Sequence, residues 1–254
     1  MWRYCLLSLP LSLSLWAAEA HKWSYEHPTA PRQWGDLHKD FEMCKSGKNQ
    51  SPIDIEHYYN APDKENFGVF YQNNARPISL EYSHHTFVAK FNTPKNHVSY
   101  RDHVYKLVNL HFHTPMEFSI HKERQPLSMH MVHQDANGSL LVLGIGFEIG
   151  EPNEMIAHLL EAYARKKIPQ ALDLENLLPS TINYYHFNGS LTTPPCTEGV
   201  AWFIIEETLS VSEEQLEALK KIMHYVENRR PPQKDYNSVI VKSSAVLREP
   251  EHVQ

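Results

Sequence analysis

The segment Tyr105-Lys106-Leu107-Val108-Asn109-Leu110-His111-Phe112-His113 alternates apolar and polar residues over a strand's length and ends on His-x-His. A β-strand points alternate side chains to the same face. Read as a strand, it aims His111 and His113 one way and turns Phe112 toward the opposite layer. Seventeen positions past His113 lies His130, in Met129-His130-Met131-Val132. If that segment is the paired strand, a third imidazole joins the first two. Three neutral imidazoles are the ligand set of a catalytic zinc, with a fourth position left for water. The chain carries 17 His in 254 residues, so a His-x-His pair alone says little, and His121 and His133 lie close enough to compete as third ligand.

Working outward, residues 80–91, 127–133, 140–149 and 200–206 also read as strands, as does the shorter 238–242. Asn137-Gly138 is a tight-turn signal, which predicts a hairpin between 127–133 and 140–149. Two helices are expected. One spans 154–166, with Met155, Ile156, Leu159, Leu160 and Tyr163 on one side. The other opens on the capping box Ser212-Glu213-Glu214-Gln215 and continues through Leu216, Leu219, Met223 and Val226. Trp23, Tyr25 and Trp34 are expected to pack an extended N-terminal arm. No repeat, linker or low-complexity block interrupts the chain. The expected fold is mainly β with peripheral helices: one domain on a large, mostly antiparallel central sheet.

The first 20 residues read as a signal peptide: Arg3, an apolar stretch over residues 6–16, and the small-x-small site Ala18-Glu19-Ala20. The alternative is a membrane anchor, for which the apolar stretch is short. Residues 21–254 then form the mature domain, expected to be exported, periplasmic or secreted, with no stable membrane insertion. Of the three Cys, Cys5 leaves with the signal. Cys44 and Cys196 can pair in an oxidising compartment, the alternative being two free thiols. Net charge is −6, and no basic run exceeds the three residues Arg165-Lys166-Lys167, so nucleic acid is not an expected partner.

A second block is Ser190-Leu191-Thr192-Thr193-Pro194-Pro195-Cys196-Thr197-Glu198. Taken with Gln50-Ser51-Pro52-Ile53-Asp54-Ile55, His111-Phe112-His113 and Met129-His130-Met131-Val132-His133, it resembles the α-class carbonic anhydrases. The blocks occur in the family's order, from about Trp23 to about Lys242. Lys48-Asn49-Gln50-Ser51-Pro52 and the Cys44/Cys196 pair look most like the exported bacterial members. The resemblance implies that His111, His113 and His130 bind Zn2+. It implies that Thr192 hydrogen-bonds the oxygen nucleophile and passes its own hydroxyl proton toward Glu117. Thr193 matches a neighbouring active-site hydroxyl. Val132, Val142, Leu191 and Trp202 match an apolar pocket for carbon dioxide, and the partners implied are carbon dioxide and bicarbonate. His85 matches the proton shuttle, and Tyr25 the tyrosine near its water chain. The residue types suit the chemistry. Carbon dioxide has no net dipole, so an apolar wall suits it. Zinc lowers the pKa of bound water to about 7, the value known from carbonic anhydrase itself. An imidazole near pKa ~6.5 is suited to carry the spent proton. If His84 and His85 are neighbours on a strand, they point to opposite faces.

The chain departs from the family pattern around the metal. Asn109 stands where a Gln usually supports the first ligand, and Ser128 where a Glu usually supports the third. Phe118 and Phe187 replace a usual His and Tyr. Both Asn109 and Ser128 share a face with their His, with shorter reach, and weaker support of the metal is expected. Two other functions remain open on the sequence: a non-catalytic zinc- or partner-binding protein on the same fold, and a copper/zinc redox protein.

Overall fold

The computed structural model describes residues 22–61, 66–234 and 238–247. The expected signal peptide and its cleavage site lie outside these residues. No helix among the described residues is long and apolar enough to cross a membrane.

A two-stranded parallel sheet pairs β1 (Asp54–Ile55) with β8 (Ser119–Ile120). The remaining strands form one twelve-stranded sheet. They are β2 (Tyr59–Asn60), β3 (Phe67–Phe70), β4 (Ser79–Ser83), β5 (Thr86–Lys90), β6 (His97–Tyr100), β7 (His103–His113), β9 (Leu127–Gln134), β10 (Leu140–Ile149), β11 (Thr181–Ser190), β12 (Glu198–Ile205), β13 (Leu209–Val211) and β14 (Val241–Val246). Its main path runs β2-β14-β11-β12-β10-β9-β7-β5-β4. Pairing is antiparallel except at β10/β12, β10/β13 and β14/β2.

The two sides of the sheet bury different chemistry. Leu110, Phe112, Met129, Met131, Leu143 and Ile145 join the main core. Two helices, α1 (Glu154–Ala164) and α2 (Glu213–Met223), cover it with Ile156, Leu159, Leu216 and Leu219. A smaller apolar cluster holds Ile53, Phe118, Val142, Phe187, Val200 and Trp202. Period-two alternation therefore puts Phe112 in the core and leaves His111 and His113 for the other face.

Local signals explain most element ends. The capping box at α2 forms as expected: Ser212 Oγ accepts from Gln215 N at 3.2 Å, and Gln215 Oε1 accepts from Ser212 N at 3.3 Å. The β9–β10 turn is the expected hairpin. Asp135 Oδ1 accepts from the backbone N–H groups of Asn137 and Ser139, and Gly138 takes φ 88°.

Four expectations are corrected. Residues 80–91 are not one strand but the β4–β5 hairpin. His84 and His85 form its turn, with φ 50° and 62°, and so do not sit on opposite faces of a strand. Helix α1 stops at Ala164, because Lys166 takes a left-handed φ of 53°. The last strand covers Val241–Val246 rather than 238–242, since its ladder with β11 begins where Val241 meets His186. Strand β11 itself was not expected.

Candidate active site

His111 and His130 are direct cross-strand partners on β7 and β9, and His113 lies opposite Ser128. The three rings gather with centroids 5.1, 5.3 and 4.6 Å apart. One nitrogen from each lies within 4.8 Å of the others. His121 and His133 are not in this group; His133 is on β9 one residue past Val132 and bonds Tyr71 Oη and Leu141 O instead.

Hydrogen bonds fix two of the tautomers. His113 Nδ1 is 2.7 Å from the carbonyl oxygen of Asn228, which can only accept, so Nδ1 carries the proton and Nε2 keeps its lone pair. His111 Nδ1 is 2.8 Å from Asn109 Oδ1, with the same consequence. The Asn109 amide, for all its shorter reach, therefore bonds His111 directly. His113 Nε2 is buried with no hydrogen-bond partner. Burial, and then the neighbouring imidazoles, hold His111 and His130 well below the ordinary histidine pKa. Inward-facing neutral imidazoles with free lone pairs fit a Zn2+ ion.

His130 lacks the ring hydrogen bond that Asn109 and Asn228 give the other two. Its Nε2 is buried without a hydrogen-bond partner, and so is the hydroxyl of Ser128 two residues earlier. Phe118 lies 6.2 Å from the His130 ring, 4.7 Å from Trp202 and 5.7 Å from Phe187. An aromatic cluster thus stands where polar support was lost.

Glu117 is fully buried. Its Oε1 accepts from Arg230 N at 2.8 Å, and its Oε2 has no hydrogen-bond partner. Oε2 lies 3.6 Å from His113 Nε2 and 3.9 Å from His130 Nδ1. The Thr192-to-Glu117 hydrogen bond implied by the family resemblance is therefore not made in this structure. Thr192 is buried and Thr193 half-buried in the 191–197 loop, closed by Leu191 N to Thr197 O and Cys196 N to Thr193 O, each 2.9 Å. The Cys44–Cys196 disulfide ties that loop to the N-terminal region.

Val132, Val142 and Trp202 are cross-strand neighbours on β9, β10 and β12. Trp202 packs 4.9 Å from His130, and its Nε1 donates to Ser190 O at 3.0 Å. Leu191 packs on the same cluster. An apolar wall therefore abuts the imidazoles.

His85 packs 4.5 Å from Trp23, and its Nδ1 lies 3.1 Å from Tyr225 Oη and 3.3 Å from Tyr82 Oη. Burial lowers its pKa, opposed by a hydrogen bond to the Trp23 backbone. His84 Nδ1 pairs with Ser83 Oγ at 2.9 Å. Tyr25 contacts Trp23, Trp34 and Tyr225 as the expected arm, with its hydroxyl buried and unpartnered. Asn228, Arg230 and Gln50 were not picked out as site residues. Only the block Gln50-Ser51-Pro52 hinted at one of them.

The site thus gathers three imidazoles that could hold a metal ion, a buried carboxylate and an apolar wall. The chain belongs to the eukaryotic-type carbonic anhydrase family, whose profile matches residues 29–244. A carbonic anhydrase of Pectobacterium carotovorum is 34% identical over 229 residues, covering 88% of this chain and 92% of that one. The solved α-carbonic anhydrase of Thermovibrio ammonificans, in complex with the inhibitor sulfanilamide, superposes with a TM-score of 0.78 at 33% identity, covering 87% of this chain and 99% of that one. The α-carbonic anhydrase of Photobacterium profundum gives 0.74 at 33% identity, covering 87% and 100%.

Proposed function

We propose that this chain reversibly hydrates carbon dioxide to bicarbonate and a proton, using Zn2+ held by His111, His113 and His130. The observation that carries this is the gathering of three imidazoles, two with bonded Nδ1 groups that leave Nε2 free, beside an apolar wall. Zinc, when bound, would supply a water acidified to about pKa 7, as it does in carbonic anhydrase itself.

The chain's own residues do the rest. Val132, Val142, Leu191 and Trp202 admit carbon dioxide and exclude competing water. Thr192 orients the attacking oxygen by accepting its hydrogen bond and donates its own hydroxyl hydrogen bond to Glu117 Oε2, which takes no other hydrogen bond. Thr193 adds a hydroxyl at the same loop. His85 carries the proton outward, and to do so exchanges Tyr82 and Tyr225 for water. The unpartnered Ser128 and His130 atoms, with the unmade Thr192–Glu117 bond, favour one other reading: a zinc-binding protein on this fold without turnover.

Metal analysis and a stopped-flow hydration assay on the chain and on His113→Ala separate the two readings. Turnover requires one zinc per chain and hydration, both lost in the variant. Zinc without hydration supports the non-catalytic protein. A copper-loaded chain would support the redox reading. The protein is also read as exported, a compartment in which the Cys44–Cys196 bond persists.

A further inference from the structure

Arg230 is a buried cation that the reaction does not use. It is 1% exposed, and burial lowers its pKa to about 10 against the opposing pull of Glu117, so it stays charged at neutral pH. Burying a guanidinium costs several kcal/mol unless its donors are satisfied. Here they meet three acceptors, on Cys44 and on the adjacent residues Gln50 and Ser51. Nη2 donates to Cys44 O at 2.8 Å, and Nη1 donates to Ser51 O at 2.8 Å and to Gln50 Oε1 at 2.9 Å. Its own backbone N–H holds Glu117 Oε1. Gln50 extends the chain of bonds: its Nε2 donates to Cys196 O at 3.0 Å and to Glu198 Oε1 at 3.1 Å. Ser51 and Ser190 exchange bonds at 2.9 and 3.2 Å, just ahead of Leu191 and Thr192.

Cys44 and Cys196 are therefore joined twice, once by their disulfide and once from carbonyl to carbonyl through Arg230 and Gln50. The second link alone also grips the reactive carboxylate. We propose that Arg230, with Gln50, is a positioning unit that couples the Cys44–Cys196 bridge and the Thr192 loop to Glu117, setting the gap that the Thr192 hydroxyl spans to donate its hydrogen bond to Glu117. This rests on the proposed carbon dioxide hydration. The planar fork suits the task, because it holds three acceptors in fixed directions that a lysine ammonium cannot match.

The test is a cycle of two perturbations: Arg230→Lys, and the paired change Cys44→Ser with Cys196→Ser, each alone and together. Zinc content, thermal unfolding and hydration kinetics are read on all four proteins. A positioning role lowers kcat by about tenfold in each single perturbation, with KM and zinc content held. The combined protein then loses no more than the worse single one, since both break one coupled unit. Gln50→Met cuts the same link from its other end, and gives the same pattern if Arg230→Lys does not fold. Losses in kcat that multiply, or lowered melting temperatures with kcat unchanged, overturn the proposal and leave Arg230 a purely structural group. A wild-type chain that binds zinc without hydrating carbon dioxide would instead overturn the functional reading. In that case the coupling is read from the disulfide: Arg230→Lys should speed its reduction by a dithiol several-fold, and an unchanged rate counts against it.

Discussion

Replacing Ser128 with glutamate tests whether the bare His130 Nε2 weakens the metal centre. Ser128 is fully buried on the face of His130, and neither its hydroxyl nor that Nε2 has a partner. A glutamate that reaches the imidazole adds one charge-assisted hydrogen bond, worth about 1.5–3 kcal/mol. At roughly 1.4 kcal/mol per factor of ten, zinc release to a chelator should slow by about ten- to a hundredfold. The opposing term is burial of a carboxylate next to Phe118, Phe187 and Trp202, which costs several kcal/mol if the bond fails. That failure would show as a melting temperature lower by roughly 2–4 °C per kcal/mol. The assay is chelator-release kinetics on wild type and Ser128→Glu, each checked for folding. Unchanged or faster release from a folded variant would refute the reasoning.

Cys196→Ser opens a cross-link spanning 152 positions. It should cost about 2–5 kcal/mol, or roughly 4–20 °C in thermal unfolding; a shift below about 2 °C would contradict a stabilising role. His85→Ala should slow turnover about tenfold in weak buffer and be rescued by added imidazole, whereas loss in His84→Ala alone would move the shuttle to the neighbouring turn residue. His133, buried against Tyr71 and bonded to the Leu141 carbonyl, has its pKa lowered to about 3, mainly by burial. The unfolded chain then binds the extra proton, so His133 favours the fold fully above pH ~6.5 and progressively less as pH falls toward about 3. His133→Gln should flatten the acid limb of urea-measured stability by up to about 1.4 kcal/mol per pH unit, and an unchanged slope would speak against it.

The alternation rule made the metal face legible, because it acts between neighbours along the chain. His111 and His113 had to share a side, and the Asn137-Gly138 turn fixed the hairpin that presents Val132 opposite Val142. The β4–β5 turn was hidden because His84 and His85 adopt left-handed backbone without the glycine or asparagine that usually marks it. Strand β11 escaped because Tyr184, Tyr185, His186 and Phe187 are all buried, so no polar-apolar alternation shows. The supports of the site were out of reach for a different reason. Asn228 meets His113, and Arg230 meets Glu117, across 115 and 113 positions of chain, and no local pattern encodes contacts of that span.

The central claim is best tested by stopped-flow hydration of carbon dioxide on the purified chain before zinc removal, after it, and after one equivalent of zinc is restored. Catalysis that disappears with the metal and returns with it is the predicted result. A folded chain holding one zinc at the three histidines, with hydration no faster than buffer, would contradict it.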